Sequence, residues 1–134
     1  MSIYNPVKFF STIEPGSRLL GLDVGDKRIG LAISDQGLKF ANPFSILKRN
    51  KFKFVVDNLI TIIKKEEIGG FIIGWPLNMD GTEGPRCDST RDFAHAFLRR
   101  FEIPICFQDE RLSSIAVEKI MIKADLTRKK RESR

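Results

Sequence analysis

Three short, mostly apolar runs constrain this chain more than any other feature. They are residues 19–24 (Leu-Leu-Gly-Leu-Asp-Val), 70–74 (Gly-Phe-Ile-Ile-Gly) and 103–107 (Ile-Pro-Ile-Cys-Phe). Each is too short for a core helix and suits a strand buried on both faces. Between them the period changes. Over 51–66, Phe52, Val55, Val56, Leu59, Ile62 and Ile63 recur at helical spacing, with lysines on the other side. Over 88–101, Phe93, Phe97 and Phe101 lie four residues apart. Strands joined by helical crossovers pair in parallel. The first run is different. Gly25 and Asp26 supply a turn, and a second strand, 28–34, follows at hairpin distance. Residues 40–47 read as a third strand, which Pro43 places at an edge or a bulge. Gly69 and Gly70 read as the stop of the first helix, and Ser113 as the cap of a last helix through Ile122. The fold class is therefore α/β: a mixed five-stranded sheet, antiparallel in its first three strands and parallel after them, flanked by helices.

A chain of 134 residues suits one domain. Residues 1–18, with Pro6, Pro15 and Gly16, read as an irregular extension, and 19–134 as the domain. No apolar run nears the ~20 residues that span a bilayer, and the N-terminus lacks the pattern of a signal peptide. The expected location is the cytoplasm, without a membrane partner. Cys87 and Cys106, with His95 the one histidine, make neither a zinc cluster nor a disulfide framework. His95 sits between two alanines and reads as a boundary side chain, not a base. The net charge of +6 favours a polyanionic partner such as nucleic acid. Lys48, Arg49, Lys51 and Lys53 form one basic cluster; Arg128, Lys129, Lys130, Arg131 and Arg134 form another. Solvated surface explains such runs as readily as binding does.

Polar residues gather at the ends of the apolar runs. In open α/β sheets ligands bind at the carboxyl ends of the strands. Asp23 lies inside the first run, where a buried carboxylate would need a cation or donors. Asp109 and Glu110 directly follow the last run. Residues 75–85 form a loop of small and amide side chains without the Lys-Ser/Thr ending of a P-loop. Parallel strands would bring Asp23 and Glu110 to one sheet edge with that loop beside them. Two carboxylates there suit Mg2+ or Mn2+, and phosphodiester hydrolysis is the matching reaction.

Three segments carry a resemblance. Residues 20–35 (Leu-Gly-Leu-Asp-Val-Gly-Asp-Lys-Arg-Ile-Gly-Leu-Ala-Ile-Ser-Asp), 74–85 (Gly-Trp-Pro-Leu-Asn-Met-Asp-Gly-Thr-Glu-Gly-Pro) and 109–114 (Asp-Glu-Arg-Leu-Ser-Ser) resemble the YqgF family, also called RuvX, in the family's order. The resemblance implies a ribonuclease H-like fold and a bacterial, metal-dependent nuclease acting in 5′-end maturation of pre-16S ribosomal RNA. It implies Asp23 and Glu110 as catalytic metal ligands, with Asp109 as their catalytic neighbour. Lys27, Arg28, Asn78, Asp80, Thr82, Arg111 and Ser113 fall in the matching motifs as expected substrate contacts. Family members continue past the basic stretch into a helix that begins with a third acidic ligand. This chain stops at Arg134 and is expected to lack that helix and carboxylate. The alternative expectation is a nucleic-acid-binding module with lost or weak catalysis. Gly-Leu-Asp-Val-Gly (21–25) is also similar to the first phosphate loop of actin-like and sugar-kinase enzymes, but those close two domains around ATP and this chain has room for one.

Overall fold

The apolar runs do form the middle of a sheet. The computed structural model describes residues 3–35, 41–76 and 80–109, with the backbone alone at Ala41 and Asp109. Among the described residues there are five strands: β1 (Arg18–Val24), β2 (Arg28–Ser34), β3 (Ala41–Lys48), β4 (Ile68–Trp75) and β5 (Ile105–Asp109). Their order is β3-β2-β1-β4-β5. β1 pairs antiparallel with β2, and β2 with β3, whereas β1–β4 and β4–β5 are parallel. This is the mixed topology expected from a hairpin followed by crossovers. β3 is an edge strand, and Pro43 lies at a register shift in its ladder, where a missing N–H does least harm.

The pleat assigns alternate residues of β1 to opposite faces. Leu20, Leu22 and Val24 join the larger core with Ile29, Leu31, Phe71 and Ile73. Helices α2 (Phe52–Lys65) and α3 (Pro85–Leu98) close that face. Val55, Val56, Leu59 and Ile63 of α2, and Phe93, Ala94 and Phe97 of α3, point into it. The Phe93/Phe97 stripe is therefore core, with Phe101 packed against it. α3 begins at Pro85, three residues before the expected start. Gly84 is its N-cap and Pro85 occupies the first turn, where a missing N–H costs nothing.

The opposite face corrects the reading of the N-terminus. Residues 1–18 are not wholly irregular, for they contain helix α1 (Pro6–Thr12). Asn5 caps it by accepting from the backbone N–H of Lys8 at 2.9 Å, and Pro6 presets its first turn. Seven residues cannot hold a helix alone, so packing must. Phe9, Phe10 and Ile13 are buried against Leu19, Ile72 and Cys106. Ile3 bridges to Ile105, and the N–H of Tyr4 donates to the Ile105 carbonyl at 2.9 Å.

This helix also explains two glycines. They do not stop α2, which ends at Lys65 with Glu67 in the left-handed region (φ 55°). Gly69 and Gly70 instead lie in β4 beneath the N-terminal segment. A Cβ at Gly70 would sit 2.8 Å from the Phe9 ring and 2.7 Å from Ile13, and one at Gly69 would sit 2.6 Å from Ser17. The approach of α1 to the sheet requires glycine there.

β3 and β5 each extend past their expected ends, to Lys48 and Asp109. The expected helix from Ser113 to Ile122 lies outside the described residues.

Candidate active site

β1, β4 and β5 run parallel, so their carboxyl ends share one edge of the sheet. Asp23 lies at the end of β1 on the α1 face, in line with Leu19 and Gly21. It pairs with Gly30 on β2. On the other side Leu22 pairs with Ile73, which makes Gly74 the next residue level with Asp23. Gly74 in turn pairs with Gln108, and Trp75 with Asp109. One row therefore reads Gly30, Asp23, Gly74, Gln108. Both immediate neighbours of Asp23 lack a side chain, and a Cβ at Gly30 would lie 3.7 Å from the Asp23 Cβ.

This placement corrects one expectation. Asp23 is exposed, not buried. α1 covers the start of this face, at Leu19, Ile72 and Cys106, and β1 runs on past that cluster to Asp23. No desolvation cost demands a cation at Asp23. What the fold provides is an exposed carboxylate whose sheet neighbours are two glycines. Asp109 lies two strands away, about 10 Å at ordinary strand spacing, one residue beyond that row. β5 thus leads directly to position 110.

The turn after β1 is tight. The N–H of Gly25 donates to the Arg28 carbonyl at 2.9 Å, and a Cβ on Gly25 would come as close to that oxygen. Only glycine fits there. Asp26, Lys27 and Arg28 are exposed around the turn. Arg49 fastens it from the end of β3. Its N–H donates to the Lys27 carbonyl at 2.9 Å, and its guanidinium donates to the Gly25 carbonyl at 2.8 Å and stacks 5.6 Å over Phe93. Composition marked Arg49 only as one cation of a basic run, and no sequence signal pointed to this clamp.

The 75–85 segment is anchored at both ends. Trp75 packs on Phe107 with ring centroids 4.7 Å apart, and Arg91 stacks 5.1 Å over the Trp75 ring. Arg91 also pairs with Glu83 and Asp88, each at 3.2 Å. The Cys87 thiol lies 3.5 Å from the Pro76 carbonyl. Asp80 and Thr82 bind each other, with the Thr82 N–H and hydroxyl both donating to Asp80 Oδ1, at 3.0 and 2.6 Å. Asn78, Glu110, Arg111 and Ser113 lie outside the described residues.

Both cysteines are buried free thiols. Burial pushes the Cys106 thiol up to about 11, so it stays protonated and unreactive near neutrality. His95 is half-buried on α3, as a boundary side chain should be.

For a hard divalent ion the described residues supply the beginning of a donor set. Asp23 offers an accessible carboxylate between two residues that lack side chains. Among the described residues no three His, Cys, Asp or Glu side chains converge. Among the described residues, no helix is long and apolar enough to cross a membrane.

A five-stranded mixed sheet with this order, covered by helices, is a ribonuclease H-like fold. Solved structures agree. Thermus thermophilus RuvC in complex with Holliday junction substrate superposes with a TM-score of 0.50 at 8% identity, covering 71% of this chain and 66% of that one. Archaeoglobus fulgidus Pelota superposes with a TM-score of 0.51 at 15% identity, covering 86% and 36%. Sequence comparison narrows the class. The family model described as "RuvX: Holliday junction resolvase" matches residues 17–134, and the chain belongs to the RuvX family. It is 48% identical over 124 residues to a Ruegeria pomeroyi protein named "Putative pre-16S rRNA nuclease", covering 92% of this chain and 80% of that one. A Bartonella henselae protein of the same name is 46% identical over 134 residues, covering 100% and 84%.

Proposed function

We propose that the protein is a metal-dependent nuclease that hydrolyses phosphodiester bonds in ribosomal RNA precursors, in 5′-end maturation of pre-16S ribosomal RNA in the cytoplasm. One observation carries this reading. Asp23 stands exposed at the carboxyl end of the central strand, between Gly30 and Gly74, in the row that β5 joins just before Asp109 and Glu110. Support for the nuclease class comes from the RuvX family, and support for the RNA substrate from the names of the relatives.

In this reading Asp23 and Glu110 are the carboxylates that hold Mg2+ or Mn2+, with Asp109 beside them. Hard cations prefer such oxygen donors, and magnesium commonly takes one or two carboxylates plus substrate phosphate. When bound, the ion supplies an activated water and positive charge for the departing oxygen. The chain's own groups do the rest. Lys27 and Arg28, exposed on the turn after β1, offset the charge of the phosphate drawn to the two carboxylates. Arg49 keeps that turn in place through the Gly25 and Lys27 carbonyls. Asn78, Asp80 and Thr82 of the 75–85 loop, with Arg111 and Ser113, complete the proposed set of substrate contacts.

Incubating the protein with an RNA that spans the 5′ end of 16S rRNA and its precursor leader tests this. Discrete cleavage near the mature end is expected with Mg2+ or Mn2+ and none with EDTA. Full cleavage in EDTA would overturn the metal requirement. Retarded but uncut RNA at every metal concentration would instead select a binding module.

A further inference from the structure

Near Asp23 the fold builds a basic corner whose cations make no ion pair among the described residues. Gly30 is the partner of Asp23, and Arg28 lies two residues earlier on the same face. Lys48 is the register partner of Arg28 on β3. Like charges placed directly opposite one another weaken a sheet. This pair is not alone. Lys51 and Lys53 follow at the start of α2, and Lys27 precedes Arg28 in the turn; all five side chains are exposed. The acid of this turn is Asp26. The ion pairs among the described residues are Arg18–Glu66, Arg91–Glu83 and Arg91–Asp88, and none of them draws on this corner. The clamp of Arg49 onto Gly25 and Lys27 ties the turn to the β3–α2 junction, between Lys48 and Lys51 in the chain.

The geometry points to a nucleic-acid backbone track. We infer that Lys48, Lys51 and Lys53, with Arg28, bind successive phosphates of the substrate on the β3 side of Asp23, away from β5. Clustered cations without partners repel one another, and a polyanion laid across them removes that repulsion and releases its own counterions. Arg28 and Lys48 share the face of Asp23, so a chain seated on them leads toward that carboxylate. The inference rests on the nuclease reading for its substrate, but binding tests it separately from cleavage.

The test measures binding of a fluorescently labelled hairpin RNA, in EDTA, by full-length protein and by the triple variant Lys48→Gln/Lys51→Gln/Lys53→Gln. A second variant, Lys64→Gln/Lys65→Gln, removes charge at the far end of α2. The first triple should weaken binding about tenfold or more at moderate salt. It should also lower the slope of log K against log salt by about two to three, roughly one per lost phosphate contact. The far-end variant should keep the parental slope. An unchanged slope in the triple, an equal loss in the far-end variant, or a corner that binds phosphatidylserine vesicles but not RNA would overturn the inference. If RNA is never cut yet the triple loses its slope, the nuclease reading fails and the track stands. If RNA is cut while the slope is unmoved, the track alone fails.

Discussion

The Asp23→Asn variant should fold like the parent and cleave RNA about 10³-fold more slowly, or not at all. The substitution keeps the shape of the side chain and removes its charge. Asp23 is exposed and is flanked by Gly30 and Gly74, so no buried partner is orphaned. Exposed substitutions of this kind usually stay within about 0.5 kcal/mol. Losing a metal carboxylate removes several kcal/mol of transition-state stabilisation, and each 1.36 kcal/mol is tenfold in rate. Thermal melting and metal-dependent cleavage, measured on one preparation, separate the two effects. Parental cleavage by this variant would remove Asp23 from the chemistry.

Phe9→Ala should have the largest effect on stability. Phe9 is 0% exposed, its ring stacks edge-on against Phe10 at 5.2 Å, and Gly70 has no Cβ where that ring lies. Truncating a fully buried Phe typically costs about 3–5 kcal/mol. For a domain of this size that lowers the melting temperature by on the order of 10 °C. The measurement is a denaturant or thermal unfolding curve. A change below about 1 kcal/mol would mean that α1 is not integral to the domain.

The strands and α2 were legible because their signals are local. Apolar runs of five or six residues, and Val55, Val56, Leu59 and Ile63 at helical spacing, report burial without knowledge of the partner. α1 was not legible. Seven residues bounded by prolines carry too little periodicity, and what makes them a helix is the sheet they cover. Gly69 and Gly70 misled for the same reason. A glycine pair after a lysine-rich helix end reads as a stop, whereas their cause is the contact with Phe9, Ile13 and Ser17. Asp23 was found by its place in an apolar strand, but its exposure was not foreseen. Leu20, Leu22 and Val24 on one face hid the fact that 19, 21 and 23 share the other, which α1 covers only at its start. The Arg49 clamp, made to backbone carbonyls, leaves no mark in the sequence.

Calorimetric titration of the metal-free protein with Mn2+ tests the central claim most directly. The account predicts saturable binding that weakens at least about tenfold in Asp23→Asn and again in Glu110→Gln, because both carboxylates hold the same ion. Undiminished Mn2+ affinity in either variant would contradict it.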